Sequence, residues 1–485
     1  MMRSGALALE RGSEAEAVRA LEVFLSRDPQ HAPLWHLLAA LHRSLGDLEP
    51  AVAALAKAAA LAPSDSKIAL ANAVICLEAG LPSTALFERA LVLAGKDRSI
   101  LLQLAAAHAA EGEVDKSIEL LERELLLSPD WLEGHRALAR TRWIAGDRES
   151  FCGSFERALA ASPADAALWR AYIEMNLNDG ACERALAIIE RARSAGGANP
   201  SFDAAEAIVR SELFDIDRAG TLFSRLSEHL NSVTMIVHYL RFLLRAGRIG
   251  EAAKVAEDYA PHDPSSQIWS YLSLAWRLLG DFRWQWLEGD PSFIGVYDLA
   301  EKLPELDSLA GRLRSLHLAR DRPLDQSLRG GTQTGGQLLT RTEPEIVTLR
   351  RVIVEAVETH VARLPPPQPG HPLLVQKRSP IRFSGSWSVR LAGGGRHVHH
   401  IHPEGWISSA LYVALPAEKD GTGDAGWLTL GEANDLGVDL PPLRTVEPKP
   451  GRLVLFPSTM WHGTRPFERG ERLTVAFDVS RPRQS

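Results

Sequence analysis

The chain has 485 residues, 45% apolar and 24% charged, enough for roughly two to four domains of ~100–200 residues each. Its net charge of −7 argues against a general binder of nucleic acid or of acidic membranes. No run approaches the ~18 apolar residues that a membrane span needs. The opening Met1-Met2-Arg3-Ser4 stretch meets charge early and lacks the long apolar core of a secretory signal. Cys76, Cys152 and Cys182 form an odd set with no close pairing. They read as buried free thiols in a reducing cytoplasm.

The first part of the chain repeats. Gly12, Gly46, Gly80, Gly112, Gly146, Gly180, Gly247 and Gly280 recur with a period near 34 residues, with one double gap in which a glycine is lost near Leu213. Pro29, Pro63, Pro129, Pro163 and Pro264 keep a constant phase to these glycines, as do Ala17, Ala51, Ala85, Ala185 and Ala252. A fixed period of this length is the mark of a solenoid. Each glycine ends a helix by adopting φ > 0, each alanine lets two helices approach, and each proline starts the next helix. The pattern resembles a tetratricopeptide repeat array over residues 1–281, degenerate between Gly197 and Asn231. The concave face of such a solenoid commonly binds peptide or protein, so a protein or peptide partner is expected there.

Residues 282–340 read as a connecting segment. Within it, Arg329-Gly330-Gly331-Thr332-Gln333-Thr334-Gly335-Gly336 lacks the Gly-Lys-Ser/Thr ending of a phosphate loop and is expected to form a turn or a loop over a pocket. Thr342-Glu343-Pro344-Glu345 has the form of a capping box. Ile346, Leu349, Ile353, Val357 and Val361 follow at helical spacing, and the helix should stop before Pro365. Such a helix ahead of a β domain packs most simply on the outside of its sheet.

From Ile381 onward the pattern becomes one of short strands separated by glycine and proline. Strands are expected near 385–391, 398–402, 406–415, 427–430, 452–456 and 472–479, with Gly393-Gly394-Gly395 linking the first two. Side chains at i and i+2 of a strand share a face, so His400 and His402 converge, and His462 follows sixty residues later. Arg472 and Thr474 share a face of the last strand, opposite Leu473, Val475 and Phe477. The set reads as a metal site with an anion clamp.

His400-Ile401-His402, the later His462 and Arg472-Leu473-Thr474 resemble the double-stranded β-helix (jelly-roll) domain of iron(II)/2-oxoglutarate dioxygenases. Trp387-Ser388-Val389-Arg390-Leu391 and Pro450-Gly451-Arg452-Leu453-Val454-Leu455-Phe456-Pro457-Ser458-Thr459-Met460-Trp461-His462 are similar to bacterial oxygenases that join such a domain to tetratricopeptide repeats. The resemblance implies a multidomain α+β protein: an all-α solenoid followed by a jelly-roll domain over 341–485. It implies an oxidoreductase, most simply a hydroxylase, with His400, His402 and His462 as catalytic iron(II) ligands and 2-oxoglutarate as cosubstrate. Arg472 would take the distal carboxylate of 2-oxoglutarate as a planar bidentate donor, and Thr474 would add a hydroxyl.

This chain has His-x-His where most such enzymes have His-x-Asp or His-x-Glu. Either His402 replaces the carboxylate, or His402-Pro403-Glu404 is the working pair with Glu404 as ligand. Tyr412 and Arg390 are further candidates to touch the cosubstrate. His397 and His399 are expected on the face opposite His400. His31, His36, His108, His135, His360 and His371 read as surface or hydrogen-bonded core residues, and Trp406, Trp427 and Trp461 as core. A rival reading is an interaction scaffold whose cupin-like β domain binds metal without 2-oxoglutarate chemistry.

Overall fold

The computed structural model describes residues 2–197, 199–226, 230–416 and 423–482. Seventeen α-helices run from Met2 to Leu279 among these residues, two to a repeat. The periodic glycines all have positive φ, between 68° and 93°, which is the left-handed cap that glycine tolerates and other residues resist. At the missing glycine the backbone does the same thing without one: Phe214 sits at φ 58°. Ala51, Ala185 and Ala252 are buried where paired helices touch, whereas Ala85 is exposed.

The prolines depart from expectation. Pro29, Pro129 and Pro163 stand in the turn ahead of the helix instead of in its first turn. There the proline carbonyl accepts from an aromatic ring N–H six residues on, in the pairs Pro29–Trp35 (2.8 Å), Pro129–His135 (2.9 Å) and Pro163–Trp169 (2.8 Å).

Beyond the solenoid lie strands β1 (Gly295–Asp298), β2 (Leu328–Gln333), β3 (Phe383–His397), β4 (Ile407–Ala414), β5 (Leu428–Leu430), β6 (Arg444–Val446), β7 (Arg452–Pro457), β8 (His462–Thr464) and β9 (Arg472–Val479). All pairings are antiparallel. A six-stranded sheet has the order β1-β7-β4-β9-β3-β2, and a three-stranded sheet the order β6-β5-β8. They form the two faces of a jelly roll.

The segment 282–340 is more than a connection, because it supplies both edge strands of the large sheet. The glycine-rich stretch at 329–336 is largely strand β2 rather than a loop. A Cβ at Gly331 would meet the Arg390 carbonyl oxygen at 2.2 Å, so this edge can pair with β3 only through glycine. Strand β3 is continuous to His397, with the three glycines inside it, and no regular strand spans 398–402.

Helix Pro344–Arg363 packs on the outer face of the large sheet together with helix Leu306–Ser315. There Leu349, Ile353 and Val357 meet Leu473, Val475 and Phe477, as the alternation along β9 requires. The capping box does not form. Thr342 is used elsewhere: its N–H and hydroxyl both donate to the Ala79 carbonyl, at 3.2 and 3.1 Å.

That contact is one of a series. The first helix of each repeat leaves unpaired carbonyls at its C-terminal end, and the C-terminal part of the chain fills several of them. Arg382 donates to Ser44 O (3.2 Å), Arg350 to Leu45 O (2.9 Å), Arg320 N–H to Ile144 O (2.8 Å) and Arg322 to Asp179 O (3.3 Å). Guanidiniums at helix C-termini also oppose the helix dipole, at about 0.3–1 kcal/mol each. The solenoid thus curls along the β domain and is fastened to it repeat by repeat.

Glu14, 1% exposed, accepts from Arg382 across this seam and from Ser44 Oγ at 3.1 Å. Arg382→Ala should cost about 3 kcal/mol, because it strands a buried carboxylate. Glu14→Gln in the same chain should recover most of that loss, as read by urea denaturation. Glu288, buried after the last repeat, accepts from Ser273 Oγ at 2.6 Å, and burial raises its carboxyl from 4.5 to about 7. The folded state therefore holds this proton more tightly than the unfolded one. Its contribution is full below about pH 4.5 and is lost as pH rises through about 7. Glu288→Gln should flatten that part of the stability–pH curve.

Candidate metal centre and anion pocket

The two sheets meet where the chain leaves β3 and where it enters β8. His400 N–H donates to His462 O and His462 N–H to His400 O, both at 3.0 Å, and His402 N–H donates to Ser458 O at 3.1 Å. These bonds keep 400–402 extended, so His400 and His402 share a face although no regular strand contains them. The nearest ring nitrogens of His400, His402 and His462 lie within 4.8 Å of one another. The Nε2 atoms of His400 and His402 are 3.0 Å apart. Two adjacent ligands at right angles, ~2.1 Å from a metal, would stand ~3 Å apart.

Each Nδ1 is engaged behind its ring. His400 Nδ1 donates to Val398 O (2.8 Å), His462 Nδ1 to Met460 O (3.0 Å) and His402 Nδ1 to the Asp478 carboxylate (2.7 Å). The lone pairs are thereby left on the Nε2 atoms, the arrangement that orients imidazole ligands, and the Nε2 of His400 also meets Ser327 Oγ at 3.1 Å. Burial, reinforced by the neighbouring imidazoles, holds His400 and His462 well below the usual histidine value, which keeps them neutral as ligands must be.

Glu404 is exposed in the turn after His402 and lies outside the cluster. His399 faces away, with its ring nitrogens toward Asp435 (2.7 Å) and Thr429 (3.2 Å). His397 departs from the expected opposite face. Its ring stacks beside His400 with centroids 5.8 Å apart, and Ser327 Oγ bridges the two rings at 3.0 and 3.1 Å. Strand β3 ends at His397, so the alternation does not carry through to His400. Burial, with Arg472 facing it, pushes His397 down to about 3.

Arg472 and Thr474 point into the pocket beneath the histidines, which Phe456 and Leu428 help to line. Arg472 is 4% exposed, donates from Nη1 to Gly426 O at 2.8 Å and lies 4.9 Å from the Tyr412 ring centroid. Its Nε and the Tyr412 hydroxyl are buried without partners among the described residues. Burial lowers the guanidinium pKa while the tyrosine oxygen opposes that, and burial raises Tyr412. A buried cation with an orphaned donor is costly unless an anion completes it. This pocket therefore fits a carboxylate.

Arg390 is not part of it; the residue is exposed and pairs with Glu471. Trp406 and Trp461 are core residues, donating to Leu373 O (2.9 Å) and Ser270 O (3.2 Å). Asp478 and Ser327 escaped the sequence reading. Asp478 could have been found from β9 alone, because it lies on the inward face already carrying Arg472 and Thr474. Ser327 precedes β2 and has no sequence signal of its own.

Residues 385–478 match the family described as "Putative 2OG-Fe(II) oxygenase", and residues 32–65 match a tetratricopeptide repeat. Similar solved structures include MamA (20% identity, 34% of this chain and 91% of that one, TM-score 0.30). Others are a tetratricopeptide repeat protein from Parabacteroides merdae (14%, 50% and 96%, 0.31) and yeast Tom70 (17%, 58% and 61%, 0.36). No match was found among curated proteins. The chain carries tetratricopeptide repeats at its N-terminal end and a domain of the 2OG-Fe(II) oxygenase type at its C-terminal end. Among the described residues no helix is long and apolar enough to cross a membrane, and Cys76, Cys152 and Cys182 are free.

Asp478→Asn keeps a hydrogen-bond acceptor behind His402 but removes its charge. It should weaken Co(II) binding, read by calorimetry, by about 10–100-fold. Glu404→Ala should bind Co(II) as wild type does, and a loss matching that of His402→Ala would transfer the ligand role to Glu404.

Proposed function

We propose that the protein is an iron(II)- and 2-oxoglutarate-dependent dioxygenase, acting as a hydroxylase. His400, His402 and His462 would hold iron(II), a suitable ion for imidazole-rich sites with open positions. Arg472 would receive the distal carboxylate of 2-oxoglutarate through its planar fork, with Thr474 and Tyr412 offering hydroxyls beside it. Iron(II) bound there supplies oxygen activation, coupling the oxidation of 2-oxoglutarate to succinate and carbon dioxide with hydroxylation of a C–H bond. The chain's own residues orient and exclude. Asp478 fixes the His402 ring, the Met460 and Val398 carbonyls fix the other two, and the buried walls keep bulk water from the pocket. The repeats would bring a protein or peptide partner, or the substrate itself, to the domain they embrace.

The observation that carries this reading is the buried Arg472 guanidinium, which has no carboxylate within ion-pair distance among the described residues. A metal-binding scaffold without 2-oxoglutarate has no use for that cation. In protein loaded with Mn(II), Arg472→Gln should weaken 2-oxoglutarate binding at least 100-fold by calorimetry, since a charge-assisted bidentate contact contributes about 3 kcal/mol. Mn(II) affinity should stay unchanged. His462→Ala should lose both. Equal 2-oxoglutarate binding by Arg472→Gln and wild type would leave the scaffold reading standing instead.

A further inference from the structure

A chamber of about 850 Å3 opens above His400 and His402. The β domain forms one wall, with Ser327, Arg329 and Trp387. The solenoid forms the other, with Asn178, Glu212 and Arg241 from the first helices of three successive repeats. The distance between the walls is fixed by shared packing. Leu436, Val438 and Trp461 lie in one core with Leu240, Leu243 and Trp276. Arg245 donates to Leu436 O at 3.2 Å, and Arg277 donates to Pro441 O at 2.6 Å and to Gly431 O. A folded protein surface cannot enter such a space. A small molecule or one extended segment can.

The charges of the chamber are uneven. Glu212 is held between Arg241 (3.0 and 2.9 Å) and Arg245 (2.6 Å). Burial opposes its ionisation, but the two guanidiniums outweigh that and bring it down to about 2. The trio therefore carries one excess positive charge on the solenoid wall. Facing it, half-buried Arg329 donates to the Gln326 and Leu328 carbonyls, at 2.8 and 2.9 Å. Among the described residues no carboxylate lies within 4.0 Å of its guanidinium. Asp435 is engaged by His399 and Arg396, and Asp478 by His402. Asp325 and Glu404 are exposed at the rim. Trp387 lies 5.7 Å from the His402 ring and offers an apolar surface next to the metal centre.

We infer that this chamber is the substrate site of the oxygenase reading, on which the inference rests. It takes a small or extended substrate bearing an oxyanion, a carboxylate or a phosphate. The anion seats on Arg329 with Arg241 opposite, and the aliphatic part lies along Trp387 toward the histidines. Recognition is thus shared between β2 and the solenoid, and a planar guanidinium suits either oxyanion.

The test uses the full chain loaded with Mn(II) and saturating 2-oxoglutarate. It is titrated calorimetrically with three probes: hexanoate, inorganic phosphate, and a hexapeptide of alternating Glu and Ala. At least one probe should bind saturably, and the probe that does so identifies the source of the oxyanion. Arg329→Gln should weaken that binding at least tenfold and Arg329→Lys by less, with Mn(II) and 2-oxoglutarate affinities unchanged in both. Arg241→Gln should weaken it too. Loaded protein that binds none of the probes, or binds them equally as Arg329→Gln, overturns the inference. A chain that fails to take up Mn(II) or 2-oxoglutarate overturns it as well, and that outcome alone also sinks the reading beneath it.

Discussion

The centre of this protein depends on one pair of main-chain hydrogen bonds, between His400 and His462. They join the end of the long strand β3 to the start of β8, and so join the large sheet to the small one. Without that bridge the two histidines would belong to separate sheets, with no fixed relation between their rings. With it, three Nε2 atoms converge, and each Nδ1 is free to be engaged from behind by Val398, Met460 or Asp478. The backbone fixes two of the rings, through the Val398 and Met460 carbonyls, and the Asp478 carboxylate fixes the third.

The solenoid is organised by a comparable economy. A helix cannot satisfy its last carbonyls internally, and a repeat array presents a row of such ends along one edge. The C-terminal part of the chain places Arg382, Arg350, Arg320 and Arg322 against that row. The reverse contacts, Arg245 to Leu436 and Arg277 to Pro441, close the far end. A surface that in a free solenoid would meet solvent or a partner is here partly occupied by the chain itself. The open side of the histidine cluster consequently looks across a chamber onto repeat helices.

Periodic features were legible in the sequence. The glycine phase gave the helix ends, including one where Phe214 adopts the left-handed turn without being glycine. Alternation along β9 separated Arg472 and Thr474 from Leu473, Val475 and Phe477. Contacts made by backbone were not legible. Strand β2 pairs through glycines whose composition reads as loop, and β1 is only four residues long. The helix-end contacts use carbonyls that carry no residue identity. Thr342 misled for the same reason: its capping geometry was available locally, but a carbonyl from a distant repeat competes for its hydroxyl and N–H.

The His-x-His pattern raises a question of charge. A facial set of two histidines and a carboxylate gives a divalent ion one compensating negative charge among its own ligands, whereas three neutral imidazoles give none. In this protein the nearest negative charge sits one layer out. Asp478 holds His402 through Nδ1 and is itself anchored by Ser408 Oγ at 2.6 Å. A carboxylate there raises the basicity of the imidazole it faces, so part of its charge would reach a metal held by that ring. The remaining imbalance would favour an anionic ligand on a metal held there, and the pocket that holds buried Arg472 favours an anion for its own reasons. The His-x-His pair, the carboxylate behind it and the uncompensated arginine below thus fit one electrostatic arrangement, which the dianionic cosubstrate of the proposed reaction would complete at both ends at once.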